Sequence, residues 1–344
     1  MGETPLVIVG VVLFGAKYLT QNLSSLLSTT YPNLRIYLHD QEEGVYGAST
    51  YIKEQLPHIV ADPRVVLTQG KNLWHSGGHN TLIRRAILDQ ASYYVVASND
   101  MWYEPNTVSA LITAVAADKA YGSAAPRLRR WDYARAEQGD VAGSKTQVID
   151  SLGIGLTAGH HFFDIAQGLP DSSAYAEPHT IFGPSGALAA YRIEALQEIG
   201  VQNTMGDIEY FDEALHYKND VDLAYRLAWA GFECIYAPMA IAYHDRQLGG
   251  DQGILARLTA RNKVPLWART SSFVGHVITV HKNFSPQFSW YVRVRTFLEN
   301  LKRMLYVLLC EREVWREFRQ KEKQFAIVSS QKIVLPGEIE KLMS

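Results

Sequence analysis

SYYVVASNDMWYEPNTVSALITAV, residues 92 to 115, decides the fold. Its first half is β-branched and aromatic and reads as a strand over Tyr93 to Ala97. Ser98-Asn99-Asp100 is a polar turn, and a helix begins near Pro105, where a fixed φ suits a first turn. A strand, a short turn and a helix in that order form half of a βαβ unit. In open α/β sheets the ligand crevice lies at the carboxyl ends of the strands. Asp100 closes this strand, so it is a candidate ligand for a metal or a ribose; an ordinary turn aspartate is the alternative.

The same alternation extends on both sides. Val7 to Phe14, Leu34 to His39 and Val65 to Leu67 read as further strands, with helical stretches at Lys17 to Ser28, His79 to Asp89 and Pro105 to Ala117. Alternating β and α elements imply a largely parallel, doubly wound sheet. After Pro126 the texture changes, and WDYARAEQGDVAGSKT reads as a polar loop.

A second acidic site lies 120 residues after Asp100, in FDEALHYKNDVDLAYRLAWAGFECIYAPMAIAYH, Phe211 to His244. Asp220 and Asp222 head an amphipathic helix, where unpaired N–H groups and the helix dipole favour carboxylates. That is a suitable place for a catalytic base, and equally for simple capping residues. The segment ends in a short strand and His244, a ligand candidate or an ordinary hydrogen-bonded histidine.

Composition bounds the class. The 344 residues are 47% hydrophobic and 20% charged, enough for a large core in one or two domains. Cys234 and Cys310 offer no metal spacing and no disulfide framework, so a reducing cytoplasm is expected. The amino-terminal apolar run has no positive leader and reads as a buried strand rather than a signal peptide. The net charge of −2 hides an asymmetry: residues 253 to 332 carry fifteen Lys and Arg against five Glu and no Asp. WYVRVRTFLENLKRMLYVLLCEREVWREFRQKEK, from Trp290, mixes bulky apolar and basic positions at helical spacing. Charges interrupt it too often for a bilayer span. A helical cap packed on the rest of the chain and an interfacial helix at a membrane surface both fit. No nucleic-acid recognition motif is present.

Read in order, the strand ending at Asp40, GKNLWHSGGHN (Gly70 to Asn80), SND, IDSLGI, FGPSGALAAYR, NDVDLAYRL, His244 and Arg261-Asn262 resemble a family 2 glycosyltransferase of GT-A fold, of the bacterial rhamnosyltransferase-like kind. The resemblance runs from about Val7 to Asn262. It implies a GT-A domain over 1–252, with a nucleotide-sugar half (1–126) and an acceptor half (127–252), followed by a basic helical region (253–344).

The resemblance also implies roles. Asp40, Asn72, Gly78, Asn80, Asn99 and Asp100 would contact the donor; Asp100 and His244 would hold Mg2+ or Mn2+. Asp220 would be the general base, with Asp222 orienting the acceptor or Arg226. FGPSGALAAYR would floor the acceptor pocket. The implied reaction is an inverting transfer from a dTDP- or UDP-sugar, dTDP-rhamnose first, to a growing glycan, including one on a polyprenyl diphosphate at the inner membrane face. UDP-galactofuranose or another hexose donor is the alternative. Ser98 and Asn219 stand where relatives carry acidic or amide residues and Glu, respectively, which also admits a glycan-binding pseudoenzyme.

Overall fold

The computed structural model describes residues 4–42, 47–203, 205–246, 264–321 and 332–344. Arg261-Asn262 and the expected boundary at 252 lie outside the described residues. The first half runs β1 (Val7–Leu13), α1 (Leu19–Leu27), β2 (Leu34–Asp40), α2 (Ala48–Gln55), α3 (Pro57–Ala61), β3 (Val65–Gln69), α4 (Trp74–Leu88), β4 (Tyr93–Ala97), β5 (Met101–Tyr103) and α5 (Thr107–Ala116). The second runs β6 (Tyr121–Trp131), α6 (Tyr133–Glu137), α7 (Val141–Ser144), β7 (Lys145–Ser151), β8 (Ile154–Leu156), β9 (Phe162–Asp164), β10 (Thr180–Ile181), β11 (Leu188–Arg192), α8 (Ile193–Ile199), β12 (Val201–Gln202), β13 (Ile208–Glu209), α9 (Asn219–Trp229) and β14 (Glu233–His244). Helices α10 (Leu266–Asn283), α11 (Trp290–Cys310), α12 (Arg312–Lys321) and α13 (Pro336–Glu340) follow.

Periodicity explains the layers. All seven residues of β1 are buried. Val7, Val9, Val11 and Leu13 enter one apolar cluster, and Ile8 and Val12 enter another on the opposite face. A strand apolar on both faces belongs to the middle of a sheet covered by helices on each side. Accordingly β3-β2-β1-β4 pair in parallel. The ten-stranded sheet continues through β11, β6, β14 and β10, with β5 on β14 and β7 on β6.

The sheet is mixed, and one antiparallel strand positions the site. β11 runs against both β4 and β6, so Leu188 faces Ala97. The beginning of β11 therefore lies beside the end of β4, where Asp100 emerges.

Two local readings are corrected. The stretch expected to be a loop after Trp131 folds as α6 and α7, because Asp132 and Asp140 cap them, accepting from Arg135 N at 3.2 Å and Gly143 N at 2.8 Å. Helix α4 starts at Trp74 rather than His79, so Gly77, Gly78, His79 and Asn80 lie inside its first turns.

The helices beyond residue 264 share a core with α9. Val280, Phe288, Val292 and Ile339 cluster with Val221, Ala224, Tyr225 and Trp229. A buried ionic cluster reinforces the join: Lys282 Nζ is 2.7 Å from Asp212 Oδ2 and 2.8 Å from Asp222 Oδ1. Among the described residues no helix is long and apolar enough to cross a membrane.

Candidate active site

The segments that carry Asp100 and Asp220 are linked at the carboxyl end of β4. Ser98 N donates to Ala187 O at 2.8 Å, and one residue earlier Gly186 N donates to Asp220 Oδ2 at 3.0 Å. One backbone hydrogen bond and one from a backbone N–H to a carboxylate thus connect the SND turn, by way of Gly186 and Ala187, to the first turn of α9. The other carboxylate oxygen of Asp220 accepts from Val221 N at 2.8 Å. Half-buried and held by two amides, Asp220 is aimed rather than free to wander.

The SND turn is fixed from behind. Asn22 Nδ2 donates to Ser98 O at 3.2 Å and to Met101 O at 2.9 Å, and Asn99 Nδ2 donates to Phe14 O at the end of β1. Asp100 Oδ2 lies 3.4 Å from His244 Nε2. Its other oxygen, Oδ1, is buried and has no hydrogen-bond partner among the described residues.

His244 is gripped from its far side. Nδ1 lies 2.8 Å from Asp150 Oδ2; Asp150, from β7, is fully buried and also accepts from Arg246 Nε at 2.7 Å. Arg246 reaches on to Asp164 at 3.0 Å. Burial pulls the His244 imidazole down, but its hydrogen bonds to Asp100 and Asp150 outweigh this and lift it from 6.5 to about 10. Burial raises the Asp150 carboxyl, and His244 with Arg246 more than reverses that, holding it below its ordinary value. An imidazolium thus sits between two carboxylates, the position a harder cation would contest.

These residues fit a divalent ion. An orphaned carboxylate oxygen and an imidazole nitrogen converge, and a buried carboxylate on the opposite ring nitrogen fixes tautomer and orientation, as for metal-bound histidines generally. Among the described residues no group of three or more His, Cys, Asp or Glu forms a cage. Such two-ligand sites leave room for phosphate oxygens and water around Mg2+ or Mn2+.

Other expected residues are placed differently. Asp40 is fully buried; it accepts from Glu42 N at 3.0 Å and Ser49 N at 2.7 Å, tying the two ends of its own turn. Asn72 Oδ1 accepts from Trp74 N at 2.8 Å and begins α4. Gly78 lets α4 approach β1: a Cβ there would lie 2.8 Å from Val12 Cγ2. Asn80 uses its whole amide on the chain, accepting from Tyr210 N and Phe211 N and donating to Phe211 O and Glu213 Oε1. Its side chain is fully buried. Asp222 is likewise fully buried, 3.0 Å from Arg226 Nε, the second of the two partners expected for it. Arg226 in turn donates to Ile199 O and Tyr210 O.

One residue near Asp220 was not singled out in the sequence. His75, in the first turn of α4, accepts through Nδ1 from Asn219 Nδ2 at 3.1 Å, and the same amide donates to Ser76 Oγ at 2.9 Å. Burial holds His75 below its ordinary value, opposed by the Asp220 charge and a hydrogen bond to the Gly186 backbone. Its ring packs on His79 at 4.4 Å. The i, i+4 pair His75 and His79 was the available signal. Asn219, the departure from Glu, thereby has a defined partner.

Residues 7–262 match the family described as glycosyltransferase like family 2. The chain belongs to that family. Among solved structures it is similar to GalNAc-T7 with UDP, GalNAc and Mn2+, at a TM-score of 0.57 and 14% identity, covering 85% of this chain and 49% of that one. It thus spans about half the length of that protein. It is also similar to the mannosyltransferase PcManGT from Pyrobaculum calidifontis with GDP-Man and Mn2+, at a TM-score of 0.52 and 15% identity, covering 94% and 77% of the two chains. No curated protein sequence matches it. The mixed sheet and its flanking helices are of the GT-A type that the motif order implies.

Proposed function

We propose that this family 2 chain transfers a sugar from a nucleotide diphosphosugar to an acceptor hydroxyl with inversion at the anomeric carbon. The hydrogen bonds that tie the Asp220 carboxylate, through Gly186 and Ala187, to the turn holding Asp100 carry the reading. Asp220 takes the acceptor proton as that oxygen bonds to the anomeric carbon; the bond to the diphosphate breaks with its electron pair on the departing oxygen. No covalent nucleophile is required. Asp100 through Oδ1 and His244 through Nε2 would hold Mg2+ or Mn2+, and a cation so placed neutralises charge on the leaving diphosphate. Asp150 holds the His244 ring by Nδ1, so Nε2 is the nitrogen left for ligation.

On the donor side we assign contact to Asn99 and Asp100, and the shaping of the wall to Asp40, Asn72, Gly78 and Asn80. Asp222 acts behind the front, fixing α9 through Arg226 and Lys282. The donor we propose to try first is dTDP-rhamnose, supported by the resemblance in motif order, with UDP-galactofuranose and UDP- or GDP-hexoses next. The acceptor is a growing glycan. Two free cysteines suit a reducing cytoplasm, and we place the reaction there.

The test uses the purified full chain with Mg2+ or Mn2+ and a panel of nucleotide sugars. A bound donor at a hundred times its Kd adds about 2.7 kcal/mol of stability and shows in thermal unfolding. Asp220→Asn is expected to keep that shift and lose transfer by about 10²- to 10⁴-fold. Undiminished transfer removes Asp220 as base; a panel in which no donor shifts melting or turns over removes the whole reading.

A further inference from the structure

Two cavities flank α11, away from the carboxylate crevice, and they are chemically opposite. The first, of about 520 Å³, is lined by Arg295, Lys302, Arg303 and His161 with one carboxylate, Glu299. The second, of about 480 Å³, lies between α10 and α11 and is walled by Phe273, Val277, Phe284, Phe297 and Met304. Arg303 lines both. A cationic recess and an apolar groove therefore adjoin across a single helix.

The recess has a positive field. Glu299 lies 3.8 Å from both Arg295 and Lys302, too loose to neutralise either fully. His161 and His276 are both held below their ordinary values by burial first, and then by Arg303 and Lys218. Cations concentrated along a concave wall attract an anion. The wall is closely built: Gly159 brings its turn against α11, where a Cβ would lie 2.7 Å from Glu299 Cγ.

The apolar side does not end at the groove. Phe297, Leu301, Leu305 and Leu309 on α11 are 43–67% exposed, so the helix presents an apolar face continuous with the groove wall at Phe297. The recess also lies close to Lys218, the residue that precedes α9. Lys218, two residues before Asp220, takes a left-handed conformation at φ 69° and lays its Nζ 5.8 Å from the Phe162 ring, next to His161.

We propose that these two cavities bind one anionic amphiphile, its phosphate or diphosphate in the cationic recess and its hydrocarbon chain in the apolar groove and along α11. Resting on the glycosyl transfer reading above, this ligand is the lipid carrier of the acceptor, held with its head near the start of α9. The charge complementarity selects the head, and the adjoining groove selects a single chain over a free anion.

Farnesyl diphosphate, titrated calorimetrically into the full chain without divalent cation, tests the site. It is expected to bind at least tenfold tighter than inorganic diphosphate or farnesol alone, and equally well to Asp100→Asn. The double variant Arg295→Gln/Lys302→Gln is expected to weaken it by about ten- to hundredfold, and Phe297→Ser to weaken farnesyl diphosphate but not inorganic diphosphate. These side chains are largely exposed, so the variants should melt like the parent.

Equal affinity for inorganic diphosphate reduces the site to a free-anion site and overturns the proposal. Binding to vesicles of anionic phospholipid with none to farnesyl diphosphate replaces it with a membrane surface. Unchanged affinity in both variants overturns it outright. Donor turnover separates the two layers: turnover with unaltered variants sinks this site alone, whereas farnesyl diphosphate binding that follows the variants in a protein without turnover sinks the transfer reading alone.

Discussion

The carboxyl end of the parallel sheet and the helices beyond residue 264 arrange the same residue types in opposite ways. In the sheet, apolar side chains are inside and the charges of Asp100 and Asp220 sit at strand and helix ends, where backbone geometry presents them. In the helical region Lys282 is buried between two carboxylates while leucines of α11 face outward. The first arrangement is what any α/β core requires. The second is unfavourable for a lone soluble domain at both positions, and that is why it reports on function and not only on folding.

Lys282 is the sharpest way to break this contrast. Its ammonium is enclosed by Asp212 and Asp222, and Lys282→Met leaves Asp212 buried without its cation and Asp222 with Arg226 alone. Breaking a buried pair from one side costs about 3–5 kcal/mol, measured by urea unfolding. The double variant Lys282→Met/Asp212→Asn should recover much of the loss, because Asp222 keeps its pair with Arg226. A single-variant cost below about 1 kcal/mol would mean that the join between α10 and α9 is not electrostatic.

Equal truncations in the two regions come next. Leu38, fully buried in β2, should lose about 2–5 kcal/mol as Leu38→Ala. Leu309, 67% exposed on α11, should change by no more than about 0.5 kcal/mol as Leu309→Ala. A large cost at Leu309 would show that its face is covered by protein and not available to a ligand.

How far these contrasts were legible in the sequence follows from the same physics. The parallel half was readable because a strand buried on both faces must be a continuous apolar run, and Val7–Leu13 is one. Asp100 and Asp220 could be placed at element ends, but the link between their segments depends on β11 running antiparallel beside β4, a pairing that no local pattern encodes. Asn80 was assigned to the donor side by the resemblance, and Asp222 to the site by its place in the first turn of a helix. Here tertiary packing encloses them, and Lys282, 60 residues beyond Asp222, supplies the charge that makes this tolerable. His75 and Asp150 were hidden for the same reason: each acts through a partner more than ninety residues away in the chain.

Asp150 tests the sheet end alone. Its carboxylate fixes the His244 ring, so Asp150→Asn should weaken Mn2+ binding by about ten- to hundredfold, as outer-shell partners of metal ligands do. Electron paramagnetic resonance of free Mn2+ reads this without turnover. Farnesyl diphosphate affinity should not move. If both fall together, the two regions are one coupled unit and the contrast drawn here is wrong.

The smallest effect expected is the acid response, and it too separates the regions. His276 of α10 is buried and lowered from 6.5 to about 3, first by burial and then by Arg303 and Lys218. A histidine depressed in the folded state takes up protons more readily when unfolded, so stability is full above about pH 6.5 and falls as the pH drops toward the folded value. His276 should therefore contribute a slope of about 1.4 kcal/mol per pH unit below pH 6. His276→Gln should remove that slope between pH 6 and 5. His244 is shifted the opposite way and changes stability only above about 6.5, so it leaves this window untouched. His79, beneath the sheet, is also lowered well below its ordinary value, but by burial and neighbouring histidines with no lysine or arginine contributing. Farnesyl diphosphate should therefore raise the His276 titration midpoint, followed by NMR, and leave His79 where it is. A midpoint for His276 that ignores the ligand would mean that the cations around it are not the ones the anion meets.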